Sequence, residues 1–81
     1  MNIQLMHGDF SASESLGLIT KMIHLEIKFY EDKIQKENNI NAIKKNEETI
    51  KQLQKDLYNA RKIIEKQEGK IKLNGHIALN E

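Results

Sequence analysis

Ile43, Ile50, Leu57, Ile64 and Ile71 recur at intervals of seven residues, and Asn46, Leu53, Ala60, Gln67 and Asn74 each follow one of them by three. At about 3.6 residues per turn, a seven-residue repeat holds one stripe on one side of a helix. The stripe is a heptad seam, apolar throughout at position a and half polar at position d. It needs another helix to cover it. The intrachain seam is expected at Ile43, Ile50, Leu53, Leu57, Ala60 and Ile64, with Asn46 and Gln67 as d residues of the kind that fix register at a cost in stability.

The helix carrying the seam is predicted over residues 40–68, with Gly69 at C′. Its outer face is charged, and Glu47 to Lys51 is an i,i+4 pair in the favoured orientation. Upstream, Ser11 and Glu14 have the spacing of a capping box, which starts a first helix over residues 12–37. Gly17 costs that helix roughly 1 kcal/mol relative to Ala. Between the two lies Glu37-Asn38-Asn39-Ile40-Asn41, poor in helix formers. Ile34 and Ile43, nine residues apart, would sit on opposite sides of one straight helix at about 100° per residue. The phase break predicts an antiparallel helical hairpin rather than one long helix.

The first helix has two apolar stripes where a surface helix shows one. Leu16, Ile19, Ile23, Ile27, Tyr30 and Ile34 form the first, which suits the seam. Leu18, Met22, Leu25 and Phe29 form the second, the expected oligomer or partner interface. Two hairpins meeting through it would make a homodimeric four-helix bundle.

Both ends of the chain change period. Residues 1–10 form an N-terminal arm in which Ile3 and Leu5 alternate with polar neighbours, a short strand. Residues 70–79 alternate as well, with Asn74-Gly75 in their middle. Asn-Gly between alternating runs is a strong hairpin signal that competes with Ile71 as the last a position of an extended helix. Gly69 favours a helix end, so a C-terminal β-hairpin is expected, with the N-terminal strand as a third member. The fold class is therefore mainly α: a coiled-coil-like hairpin in a single domain, residues 1–81, with short terminal strands.

With 81 residues the chain has room for a small core only, and without cysteine neither disulfides nor thiolate metal sites can reinforce it. Association between copies is the remaining staple. A net charge of +1 is no general footprint for nucleic acid. The longest apolar-rich stretch, Leu16 to Tyr30, carries Lys21, Glu26 and Lys28 and is too short to span a bilayer. The opening MNIQLMHGDF shows no secretory pattern, so a cytoplasmic protein without membrane association is expected.

Chemistry finds little to work with. His7, Asp9 and His76 supply too few ligands for a metal centre, and His24 lies within the apolar stretch of the first helix. The carboxylate pairs Glu31-Asp32 and Glu47-Glu48 lie on a charged helix surface rather than in a cleft. Ser11, Ser13 and Ser15 lack the strained turn of a nucleophile, and no glycine-rich phosphate loop is present. No catalytic, metal or cofactor-binding residues are expected. The expected function is non-enzymatic: a self-associating module that contacts another protein as adaptor, assembly factor or inhibitor. The alternative is a small nucleic-acid-binding regulator that uses Lys51, Lys55, Lys62 and Lys66, where Lys55 and Lys62 share heptad position f.

Overall fold

Ser11 ends an extended segment and starts a helix. Its hydroxyl accepts from the Glu14 N–H at 3.0 Å, and its own N–H donates to Glu14 Oε1 at 2.9 Å. This is the capping box that the spacing predicts, and it satisfies two main-chain donors at once. The computed structural model describes residues 1–80. In chain order it has β1 (Asn2–Phe10), α1 (Ala12–Lys36), α2 (Ile40–Glu65) and β2 (Ile71–Ala78).

The break between the helices is made by polar side chains. Glu37 Oε1 accepts from the Asn38 and Asn39 N–H groups, both at 3.1 Å. Asn39 then caps α2, its Oδ1 accepting from Asn41 at 2.8 Å and Ala42 at 3.3 Å. The donors that a helix start leaves unpaired are thereby met without proline or glycine. α1 and α2 pack as an antiparallel hairpin, mainly helical as the periodicity implies. The first stripe of α1, from Leu16 to Ile34, is half-buried throughout. So are Ile43, Ile50, Leu53, Leu57 and Ala60 of the seam, and Ile64 is 6% exposed. Asn46 is half-buried within the seam, whereas Gln67 lies beyond the helix and is exposed.

α2 ends at Glu65 with Lys66 as C-cap, three residues short of the expected end at 68. Gly69, expected at C′, stands further on. Its φ of +81° turns the chain toward β2, a conformation that costs glycine little.

The C-terminal β-hairpin expected at Asn74-Gly75 does not form. Ile71–Ala78 runs through those residues as one strand and pairs antiparallel with β1, with Phe10 opposite Ile71, Gly8 opposite Leu73 and Ile3 opposite Ile77. Phase explains the outcome. A two-residue turn at Asn74-Gly75 would set Leu73 across from His76 and Lys72 across from Ile77, mixing polar and apolar on both faces. As one strand, Ile71, Leu73, Gly75 and Ile77 share a face. β1 matches that face through a bulge between Gln4 and Met6, where Leu5 is the extra residue. The bulge shifts Ile3 onto the side of Met6 and Phe10. Gly75 lies under Met6, whose Cγ is 3.5 Å from where a Cβ would stand. The N-terminal strand is thus the sole partner of the C-terminal one in this two-stranded sheet.

α1 touches both strands. The half of the ribbon next to the helices is half-buried at Met6, Phe10, Ile71 and Leu73. The far half projects, leaving Ile3 39%, Leu5 47%, Ile77 41% and Leu79 46% exposed. The Cα atoms fill a slab of 47 × 32 × 14 Å. Two helices with axes about 8–10 Å apart and Cα cylinders of about 2.3 Å radius already span about 13–15 Å, so along its shortest dimension the slab has room for one helix pair and no second layer behind it. Among the described residues only Ile64 and Ser15 are buried, both at the end where α1 begins and α2 ends. The radius of gyration is 15.2 Å, against about 11.7 Å for a compact chain of this length.

Three outcomes follow for stability, read as urea unfolding by circular dichroism. Ile64→Ala removes the one aliphatic side chain buried among the described residues and should cost about 2–4 kcal/mol. Ser15 Oγ is buried with no hydrogen-bond partner, so Ser15→Ala should raise stability by about 1 kcal/mol. The Ser11 N–H, then the Ser11 hydroxyl, hold the Glu14 carboxyl below its ordinary 4.5, with a smaller pull from Lys70. A depressed folded-state value adds stability above the unfolded value that is lost as pH falls through the folded one. Glu14→Gln should therefore flatten the fall in urea midpoint that the parent protein shows on acidification below 4.5.

Candidate interaction surfaces

α1 presents its two stripes about 130° apart around the helix axis. The first meets α2. The second lies on the outer side and is covered unevenly: Leu18 and Met22 are half-buried, while Leu25 is 73% and Phe29 57% exposed. Leu25 and Phe29 line an open hollow of about 390 Å³ with Lys28 and Asp32. Nearer the sheet, Phe10 and Leu18 line a second hollow of about 410 Å³ with Glu14, Gly17 and Lys21. Both are shallow troughs on one side of one helix, and neither converges on a reacting centre.

Phe29 also belongs to an aromatic cluster at the turn end of α1. Its ring meets Tyr30 edge to face with centroids 5.3 Å apart. Lys33 Nζ lies 5.5 Å from the Phe29 centroid and 5.9 Å from that of Tyr30. Such contacts hold an exposed ring in one orientation and are worth about 0.5–1 kcal/mol at the surface. Periodicity places the ring on its face; the ordering by Lys33 comes from an i,i+4 and i,i+3 spacing that a stripe count passes over.

The back of α2 carries a second kind of surface. Lys51, Lys55, Lys62 and Lys66 are all exposed. At about 100° per residue they fall within a sector of about 60°, nearly opposite the seam. Lys44 falls in the same sector, as does Glu48. Tyr58 flanks it, 57% exposed, with Lys62 Nζ 4.5 Å from its ring centroid. Gln52 Nε2 donates to Asp56 Oδ1 at 2.8 Å along the flank of the helix. The stripe is basic but not uniformly so.

On the ribbon, His7, Asp9, Lys72, Asn74 and His76 share the face away from the apolar one, by the alternation of paired strands. The register sets Asp9 opposite Lys72 and His7 opposite Asn74. A hollow of about 360 Å³ lies here, lined by His7, Gly8, Asp9, Lys72, Leu73 and Asn74. No group of three or more His, Cys, Asp or Glu among the described residues is placed to hold a metal ion. His24 is exposed on α1. Among the described residues, no helix is long and apolar enough to cross a membrane.

No protein-family model, no curated protein and no solved structure matches the chain. The surfaces themselves carry the functional reading.

Proposed function

We propose that this protein is a non-enzymatic, self-associating interaction module whose working unit is a homodimer. The supporting observation is surface area. A compact monomer of 9.4 kDa exposes roughly 5,000 Å² by the area–mass relation. This chain exposes 6685 Å², about 1,700 Å² more. Covering that excess on two copies removes on the order of 3,400 Å² in all, within the range of obligate homodimers. A second copy is the partner of lowest assumption, because it supplies a layer of matching length. In the dimer, Leu18, Met22, Leu25 and Phe29 of α1 face their counterparts and the two hairpins form a four-helix bundle. A cytoplasmic setting and a further protein partner, gripped by surface left outside the bundle, complete the reading.

Sedimentation equilibrium at micromolar concentration tests it. The parent chain should sediment at twice 9.4 kDa, and the double variant Leu25→Asp, Phe29→Asp should sediment as a monomer. A parent chain that is monomeric with full helicity would overturn the proposal.

A second reading draws on the alignment of Lys51, Lys55, Lys62 and Lys66 with Tyr58 beside them. Such a stripe tracks a phosphate backbone, with an aromatic ring available for stacking. With up to four phosphates neutralised, binding to duplex DNA should weaken with a log–log salt slope no steeper than about −3.6. Gel shifts with pooled RNA and DNA at low salt decide, and Lys55→Glu, Lys62→Glu should abolish any complex. No shift at low salt removes this reading.

A further inference from the structure

We infer that the two copies pair through the free edge of β2, antiparallel about a two-fold axis at Gly75, to make one four-stranded sheet. The inference rests on the self-association proposed above. A two-stranded sheet leaves both outer edges unpaired. They are not equivalent. β1 is interrupted by its bulge between Gln4 and Met6, whereas β2 runs regularly from Ile71 to Ala78 with no bulge and no proline. A bulge blunts an edge and a regular strand leaves it open.

The sequence of β2 then fixes the register. Around Gly75, apolar side chains stand two residues away on either side, Leu73 and Ile77, and four residues away, Ile71 and Leu79. An antiparallel copy centred on Gly75 sets Leu73 against Ile77 of its mate and Ile71 against Leu79, all on the apolar face. On the opposite face it sets Lys72 against Ala78 and Asn74 against His76, so no like charges meet. A centre at Asn74 would instead oppose Lys72 to His76 and leave Leu73 facing Gly75.

Hydrogen-bond direction agrees. The Leu79 N–H donates to the Met1 carbonyl at 2.7 Å, and the Met1 amino group donates to the Leu79 carbonyl at 3.3 Å. Main-chain groups alternate in direction along a strand. The odd residues of β2 therefore point toward β1, and Lys72, Asn74, His76 and Ala78 present theirs to the open edge. In the paired sheet these even residues form the hydrogen-bonded pairs. The apolar odd residues fall in the non-hydrogen-bonded pairs, where Cα atoms come within about 4.5 Å and side chains meet most closely. Gly75 meets its own copy there, with no side chain to obstruct the approach. The pairing also draws the projecting Ile77 and Leu79, 41% and 46% exposed, against their counterparts.

Amide hydrogen exchange on the full-length protein tests the pairing without a substitution. At dimeric concentrations the Asn74, His76 and Ala78 amides should exchange on the order of 100-fold more slowly than on dilution to monomer. Leu73 and Ile77, bonded to β1 in either state, are the internal reference. As a second measurement, Gly75→Cys should form an intermolecular disulfide under mild oxidation while Ser13→Cys does not. A cysteine fits at Gly75, since the nearest atom to its Cβ is Met6 Cγ at 3.5 Å, and the chain has no cysteine of its own to compete. A dimer whose even amides exchange freely, or whose Gly75→Cys variant fails to cross-link, overturns the edge pairing and leaves self-association standing. A monomer at all concentrations overturns both.

Discussion

The structure depends on the packing of α1 against α2, the line along which the half-buried aliphatic residues of both helices and the buried Ile64 lie. Burial of apolar surface stabilises by roughly 25 cal/mol per Å², but one helix pair offers only one sheltered line. Among the described residues, full burial is consequently reached only at Ile64 and Ser15, at the end where α1 begins and α2 ends. A single layer has an interface but no inside, and most domains solve this with a second layer. The proposed self-association follows from the missing layer.

The terminal ribbon ties the chain ends to the helix ends they flank. Ser11 starts α1 and Gly69 turns the chain between α2 and β2, and β1 and β2 pair side by side. An isolated two-stranded ribbon is marginal in water. This one gains support where Met6, Phe10, Ile71 and Leu73 lie near the helices and loses it toward Ile3 and Ile77. Support by a second copy would reach the parts that the helices do not.

Much of this was legible in the residues. The capping box at Ser11 and Glu14 is short-range chemistry, and the heptad phase from Ile43 to Ile64 reports helix pairing directly. The half-turn offset between Ile34 and Ile43 marked the reversal, although Asn39 as the cap of α2 was visible only as one asparagine among several. The Asn74-Gly75 signal misled because turn propensity is local, whereas strand choice is settled by pairing. The unbroken alternation of Ile71, Leu73, Ile77 and Leu79 was the better guide, and it spoke for a single strand. The bulge at Leu5 left no mark beyond the shift of apolar phase between Ile3 and Met6. Exposure divided the second stripe of α1 into a half-covered Leu18–Met22 part and a bare Leu25–Phe29 part, since only three-dimensional neighbours decide coverage.

The most direct measure of the missing layer is the thermal midpoint of the parent chain as a function of its concentration. For a dimer that folds and associates together, mass action ties stability to protomer concentration. The midpoint should climb steadily from low to high micromolar protein, with one cooperative transition throughout. A midpoint independent of concentration, with helicity intact, would contradict the need for a second copy.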